Sequence, residues 1–272
     1  NLIPLKKYRH FVNAVLFISL MVLLVIPLIG ITISALARVQ GVISFSNLTL
    51  NNFYKIFFEV SEFPVALKNS LLVASLVATL SVLIGFFVVY AQKKTNLKFL
   101  RITDFFISLP YATPGTVLSL ALILAFSGRV FGFISLYNTI FLIAIAYFIK
   151  YLNFSVRALN SSIVQIDQSL LEAAQVSGAG FIQRLITIWF PILKPALISS
   201  WFLVFMPCVS ELTMTILLTG PGLETLGTLL FQLQNYGDAS GGGAAVLSLL
   251  IIAMVLIINF FVKFISKGKY GL

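Results

Sequence analysis

The sequence predicts an all-α polytopic membrane protein with about six transmembrane helices. Two observations lead to this fold class: hydrophobic residues make up 60% of the 272-residue chain, and charged residues make up only 10%. Charged residues usually contribute about a quarter of a soluble domain. The mean hydropathy is +1.06. An ordinary water-soluble globule is therefore excluded, because the polar residues are too few to cover it.

Six apolar runs give the number of helices. A helix of about 20 apolar residues crosses a hydrocarbon core of roughly 30 Å. We place the spans from about Phe11 to Ala37, Pro64 to Ala91, Phe105 to Phe126, Tyr137 to Asn153, Leu193 to Thr219 and Ala244 to Ile265. Residues 1–272 are interpreted as a single transmembrane domain.

The positive charge follows the membrane topology. Most Lys and Arg residues flank the spans on one side: Lys6, Lys7, Arg9, Lys93, Lys94, Lys98, Arg101, Lys150, Arg157, Arg184, Lys194, Lys263, Lys267 and Lys269. The other side carries only Arg38, Lys55, Lys68 and Arg129. This positive-inside pattern places both termini in the cytoplasm. The net charge of +10 therefore does not indicate a nucleic-acid partner.

Groups that could perform catalysis or hold a metal are scarce. Cys208 and His10 are the single cysteine and the single histidine, and the few carboxylates are isolated along the chain. No nucleophilic triad, zinc site or paired acid–base site can be assembled from them. The segment 222–228 has the glycine spacing of a phosphate loop but lacks its lysine. The sequence predicts no enzyme, no metal site and no cofactor in this chain.

Two segments are predicted to lie on the outer side of the membrane. Residues 44–53 suggest a short capped helix at the outer surface, and residues 220–243 suggest a flexible or re-entrant loop. Lys68, at the start of the second span, is interpreted as a side chain that extends to the membrane interface.

A polar segment separates the fourth and fifth spans. Ser169 to Val176 contains helix formers, and Asp167 precedes it as a candidate N-cap. Gly178-Ala179-Gly180 then predicts a turn, and Phe181 to Phe190 a second short helix before Pro191. Two short helices joined by a tight turn form a rigid body that fits a groove of a partner protein.

The same segment resembles a known signature. Glu172-Ala173-Ala174, three residues, Gly178, nine residues, and Ile188-Trp189-Phe190-Pro191 match the EAA motif of the membrane subunits of binding-protein-dependent ABC importers. Only Phe190 departs, at a position where the family has Leu. The resemblance implies a type I importer transmembrane domain with residues 158–191 as the cytoplasmic coupling loop. It also implies a role in ATPase coupling for Glu172, Ala173, Ala174, Gly178, Ile188 and Pro191.

The resemblance also implies partners in a bacterial inner membrane. ABC ATPase subunits would bind the coupling loop and use ATP and Mg, and an extracytoplasmic binding protein would deliver the substrate. A second permease domain would complete the pathway in the lipid bilayer. It would be a second copy, a paralogue or the other half of a fused chain. The fused case is a hypothesis prompted by the start at Asn1 rather than Met.

Two polar features lie within predicted spans. Glu211, between Ser210 and Thr213, is the one acidic residue deep in a span, where a charge is costly and indicates function by default. It lines the pathway, or it is paired structurally with Lys68 or across a dimer. Pro110 and Pro114 interrupt the third span. They form either a structural kink or a bend that shapes the pathway.

The cargo is predicted from three short segments. Residues 109–117, 210–215 and 220–227 resemble ferric-iron permeases most closely. Relatives with this pattern move sugar phosphates, phosphonates, thiamine, polyamines or sulfate, and these alternatives stay open. A stand-alone secondary transporter is a further alternative, which would need an ion gradient and no ATPase.

Overall fold

The computed structural model describes residues 8–94, 99–128, 135–163, 166–236 and 242–265. Every regular element of this part of the chain is helical. The main helices are α1 (Arg9–Leu36), α2 (Asn51–Tyr54), α3 (Glu62–Lys94), α4 (Phe99–Ala112), α5 (Gly115–Phe126), α6 (Ile140–Ile163), α7 (Gln168–Val176), α8 (Phe181–Val209), α9 (Thr215–Leu218), α10 (Leu226–Asn235) and α11 (Gly242–Ile265). The predicted all-α fold class is confirmed.

The chain forms two compact units. One consists of Asn1–Ser61 with Leu230–Ile252, and the other of Glu62–Leu229 with Ala253–Leu272. Each unit is described by itself below. The prediction of a single transmembrane domain stays a prediction.

Five described helices are long and apolar enough to span a membrane, and six spans result if α4 and α5 are counted together. These two helices meet at an angle of 105°. The predicted interruption of the third span is found between Ala112 and Gly115, where Pro114 lacks the backbone N–H that a continuous helix would need. Pro110 lies inside α4 without ending it.

The fifth predicted span is wrong at both ends. α8 runs without interruption from Phe181, through a π-helical stretch at Leu185–Trp189, to Val209. Pro191 therefore does not begin a new segment. The prediction that Glu211 lies inside a helix is also wrong, because residues 210–214 form a non-helical turn before α9.

The fourth span is longer than predicted. α6 continues to Ile163, so the first residues of the predicted loop 158–191 are helical. Lys150 and Arg157, predicted to flank this loop, lie inside α6 instead. Residues 164–165 of the loop lie outside the described residues, as do Lys6, Lys7, Lys98, Arg129, Lys267 and Lys269.

The core of the second unit is formed where α3, α6 and α8 pack together. It includes a cluster of buried apolar side chains: Phe86, Val89, Val156, Leu159, Ile163, Ile166, Trp189, Leu193 and Ala196. Elsewhere in this core, small residues allow the three helices to approach one another closely. A Cβ added at Gly85 would lie 2.6 Å from Oγ of Ser155, and Ser200 donates to that same oxygen at 3.0 Å. Small side chains of this kind are typical of helix contacts in membranes.

The first unit contains α1 and the segment that follows it. Asn52, in α2, donates from Nδ2 to the carbonyls of Ala35 and Ala37, each at 2.9 Å. The predicted short helix between residues 44 and 53 is found as a 3-10 turn, Phe45–Asn47, and α2. Ser44 does not cap it with its side chain.

The segment after residue 220 is more ordered than predicted. It contains α10, and Ser70 of α3 accepts a hydrogen bond from the backbone N–H of Leu226 at 2.8 Å. Asn69 donates to the carbonyls of Gly222 and Glu224 at 3.2 and 3.0 Å. Lys68 is exposed. Residues 237–241, including Asp238, lie outside the described residues.

Candidate functional site

The predicted coupling segment begins with a capped helix. The side chain of Asp167 accepts a hydrogen bond from the backbone N–H of Ser169 at 2.9 Å and caps α7, as predicted. This bond stabilises the carboxylate and lowers the pKa of Asp167, and the nearby positive charge of Lys93 contributes less. The cap satisfies one of the amides that a helix leaves unpaired at its first turn.

The helix ends in a Schellman motif at Gly178. The N–H of Ala179 donates to the carbonyl of Ala174 at 2.9 Å, and the N–H of Gly178 donates to that of Gln175 at 3.0 Å. Gly178 has a φ of +80°, which L side chains rarely adopt. A Cβ there would meet no atom within 4 Å, so the constraint is conformational rather than steric.

The surface around this turn is exposed and partly apolar. Glu172 and Ala173 are exposed, and Ala174 is half-buried. Val176 is 90% exposed and Ile182 68% exposed. Large apolar side chains at such exposures, beside a rigid turn, suit a protein partner. Of the two remaining signature residues, Ile188 is half-buried and Pro191 is exposed.

A cavity of about 210 Å³ lies beside α7. Its lining combines one aliphatic side chain with charged, polar and aromatic ones: Leu171, Tyr90, Lys93, Glu172, Gln175, Phe181, Arg184 and Trp189. Glu172 therefore lies between the predicted coupling segment and the Lys93 end of α3. Within the cavity wall, Arg184 donates to Oε1 of Gln175 at 3.3 Å and joins α8 to α7.

Two residues that hold the segment in place were not predicted as site residues. Lys93, at the end of α3, donates to the carbonyls of Ile163 and Ile166 at 2.7 and 3.0 Å. Its Nζ also lies 6.0 Å from the ring centroid of Trp189. Trp189 is 5% exposed, and its ring lies 5.1 Å from that of Tyr90. The position of Trp189 inside the EAA motif is the sequence feature that could have identified it as a site residue.

The second group of predicted residues lies at the other end of α8. Glu211 is 5% exposed, and its carboxylate accepts from the backbone N–H groups of Met214 and Thr215 at 3.0–3.1 Å. The hydroxyls of Thr213 and Thr215 each donate to it at 2.7 Å. Thr215 also bonds to the hydroxyl of Tyr147 on α6. These described partners of Glu211 come from its own turn and α9, not from Lys68.

The turn 210–214 lies between two glycines. A Cβ on Gly115, just after Pro114, would collide with the hydroxyl of Thr213. A Cβ on Gly227 would collide with the carbonyl oxygen of Glu211. The structure thus brings the broken third span and the Glu211 turn together. Ser210 and Thr213 are exposed, Pro114 is exposed and Pro110 is half-buried.

The chain is similar to a known protein family and to individual transport proteins. The family described as binding-protein-dependent transport system inner membrane component matches residues 79–269. The Fe(3+)-transport system permease protein FbpB 2 of Haemophilus influenzae is 30% identical over 197 residues, which are 71% of this chain and 37% of the relative. The chain thus spans little more than a third of that relative.

A second relative matches along nearly its whole length. The putative 2-aminoethylphosphonate transport system permease protein PhnV of Salmonella paratyphi A is 26% identical over 248 residues, 91% of each chain.

Solved structures agree with the fold. A bacterial ABC transporter involved in the import of alginate has a TM-score of 0.74 at 17% identity and covers 98% of both chains. The MetNI methionine ABC transporter, in an inward-facing conformation, has a TM-score of 0.59 at 16% identity, covering 76% of this chain and 95% of that one. The resemblance stated from the EAA spacing is confirmed: the chain belongs to the family of binding-protein-dependent transport system inner membrane components, and its fold is that of a type I ABC importer transmembrane domain.

Proposed function

We propose that this chain is the permease subunit of an ATP-driven importer and that α7 and the Gly178 turn bind a separate ATPase subunit. The observation that carries the proposal is the exposed, conformationally fixed turn at the EAA positions. ATP binding by the partner would draw the coupling segments together and open the pathway outward, and hydrolysis would reset it. The chain itself would supply energetic coupling between sites, and the ATP chemistry would belong to the partner.

The assembly would contain three further kinds of protein. Two ATPase subunits bind on the cytoplasmic side, where both termini of this chain lie. A binding protein delivers cargo to the opposite side. A second permease domain, as another copy, a paralogue or a fused half, completes the pathway.

Ferric iron is the first candidate cargo. Its support is the resemblance of residues 109–117, 210–215 and 220–227 to ferric-iron permeases, together with the Haemophilus relative. A phosphonate is the second candidate, supported by the Salmonella relative that matches over 91% of both chains. Measuring the affinity of the partner binding protein for Fe(III) and for 2-aminoethylphosphonate separates the two. Tight binding of the phosphonate without Fe(III) binding would exclude iron.

Affinity purification of the tagged chain from its own membranes tests the ATPase role. We expect an ATPase to co-purify with the wild type and to be lost with Gly178→Val, because a φ of +80° strains a branched side chain. Gly180→Val is the matched control, since Gly180 has a φ of −66° and open space for a Cβ. It should retain the ATPase.

Two outcomes would contradict the proposal. An ATPase retained equally by both variants would remove the coupling role from the Gly178 turn. Transport by vesicles that contain this protein alone, driven by an ion gradient, would favour the secondary transporter.

A further inference from the structure

A lysine lies well inside one of the spanning helices. Lys150 is ten residues from the start of α6, which corresponds to about 15 Å along the helix. It is about 20 Å from the other end of α6, at Ile163. Charged residues at such depth face a water-filled cavity or other protein, because lipid contact is costly, and they commonly mark ion or substrate pathways.

Lys150 points at the broken span. Its Nζ donates to the carbonyl oxygen of Thr113 at 3.3 Å, at the point where α4 and α5 meet at 105°. A break of this kind leaves carbonyls without helical donors, and the end of a helix carries partial negative charge. Lys150 as a whole is half-buried.

A second cation continues the same helix face. Arg157 is seven residues, or about two turns, beyond Lys150 and is exposed. Asn153 lies between them and holds the guanidinium, accepting from Nε of Arg157 at 3.0 Å. The hydroxyl of Ser108 on α4 donates to the same oxygen at 3.2 Å. The face therefore presents two oriented cations rather than two mobile ones.

The hydrogen bonds of this face involve no carboxylate in the part of the chain that the structure describes. The carboxylate of Glu211, predicted to line the pathway, makes its described hydrogen bonds to two backbone amides and two hydroxyls. The described hydrogen bonds of Lys150 and Arg157 go to neutral oxygens, of Thr113 and Asn153 respectively. Two neighbouring positive charges whose hydrogen-bond partners are neutral produce a positive field that attracts an anion.

We propose that Lys150 and Arg157 line the translocation pathway and that the cargo crosses the membrane as an oxyanion. The inference rests on the proposed importer function and names its substrate class. Two sources share this chemistry: an organic phosphonate, and ferric iron held in an anionic carboxylate chelate. Glu211 holds the neighbouring turn in place through its hydrogen bonds.

Uptake by the complete transporter in its own membrane tests the inference, with 2-aminoethylphosphonate and Fe(III)-citrate as the two probes at concentrations well below saturation. Lys150→Gln keeps a donor for the Thr113 carbonyl and removes the charge. We expect uptake of the transported probe to fall about tenfold or more, because a focused positive field raises the local concentration of an anion. The melting temperature of the purified complex should stay unchanged, and Lys150→Arg should restore uptake.

Lys194→Gln is the matched control, because Lys194 is an exposed lysine on a different helix, α8. It should leave uptake near the wild-type rate. The inference is overturned if Lys150→Gln transports as well as Lys194→Gln, or if it loses uptake and thermal stability together. Wild-type uptake that needs no ATP would instead refute the importer function, so the two failures are distinguishable.

Discussion

The two ends of α8 differ in how far their neighbouring segments are buried and hydrogen-bonded within the chain. At the Phe181 end, the coupling segment leaves Val176 90% exposed and Ile182 68% exposed. At the Val209 end, the Glu211 turn is bonded internally and enclosed by Gly115 and Gly227. The first region is therefore a surface that another protein can complete, whereas the second is complete within the chain. Substitutions at the first should affect coupling, and substitutions at the second should affect folding.

The largest effect is expected from Gly227→Ala at the enclosed turn. The new Cβ would collide with the carbonyl oxygen of Glu211, and backbone cannot move aside as a side chain can. We expect a loss of stability of about 3 kcal/mol, the upper end for overpacking. Thermal denaturation of the purified protein measures it. Gly30→Ala, where a Cβ meets nothing within 4 Å, is the control and should have no such effect.

Glu211→Gln should have the next largest effect. The carboxamide would direct an NH₂ group at amides and hydroxyls that are themselves donors, so at least one buried donor would lose its acceptor. The expected cost is about 2 kcal/mol. Glu59→Gln, at an exposed carboxylate, is the control for the melting temperature.

A different result for Glu211→Gln would reverse its assignment. The sequence-based hypothesis, in which Glu211 lines the pathway, predicts reduced uptake of a cationic cargo at an unchanged melting temperature. That result would also weaken the contrast between the two ends of α8.

Lys93→Met sharpens the comparison at the coupling end. Methionine keeps an unbranched chain near Trp189 but removes the donor to the carbonyls of Ile163 and Ile166. We expect ATP turnover to continue while cargo moved per ATP falls several-fold, because the start of the coupling segment is no longer tied to α3. Lys93→Arg should keep most of the coupling. A ratio equal to that of the wild type would show that this tie is dispensable.

The smallest effect is expected at the Asp167 cap. Its pKa is lowered from 3.8, so its contribution to α7 is present above that unfolded-state value and is lost as the pH falls through the lower folded-state pKa. The protection factors of the first-turn amides of α7 against hydrogen exchange should therefore fall only in acid. Asp167→Asn should keep the cap and remove the acid dependence, since asparagine caps as well as aspartate. Protection that is independent of pH in the wild type would contradict the role of the carboxylate.

The features that the sequence predicted well depend on neighbouring residues. Hydropathy located the spans, and the Asp167 cap and the turn at Gly178 follow from local hydrogen bonding and backbone conformation. Helix ends inside the membrane were predicted poorly. Pro195 and Pro207 lie within α8, and the helix ends at Val209, inside an apolar run. Proline is tolerated in membrane helices when neighbours satisfy the carbonyls it leaves unpaired.

The features that the sequence could not predict depend on distant residues. The partners of Lys93 are 70 and 73 residues away along the chain, and Thr113 is 37 residues from Lys150. A Cβ at Gly227 would collide with a backbone atom of Glu211. No pattern of residue types along the chain predicts that contact. Such contacts are set by how α3, α6 and α8 pack.

The unbroken course of α8 has a mechanical consequence. Its 29 residues make a rod of about 43 Å, with the Gly178 turn just before one end and the Glu211 turn just after the other. A tilt of only about 5° about one end of such a rod displaces the other end by about 4 Å, close to the width of a chain of carbon atoms. A small rotation of the coupling end, with no change in any backbone torsion between the ends, is enough to shift the turn that contacts the broken span.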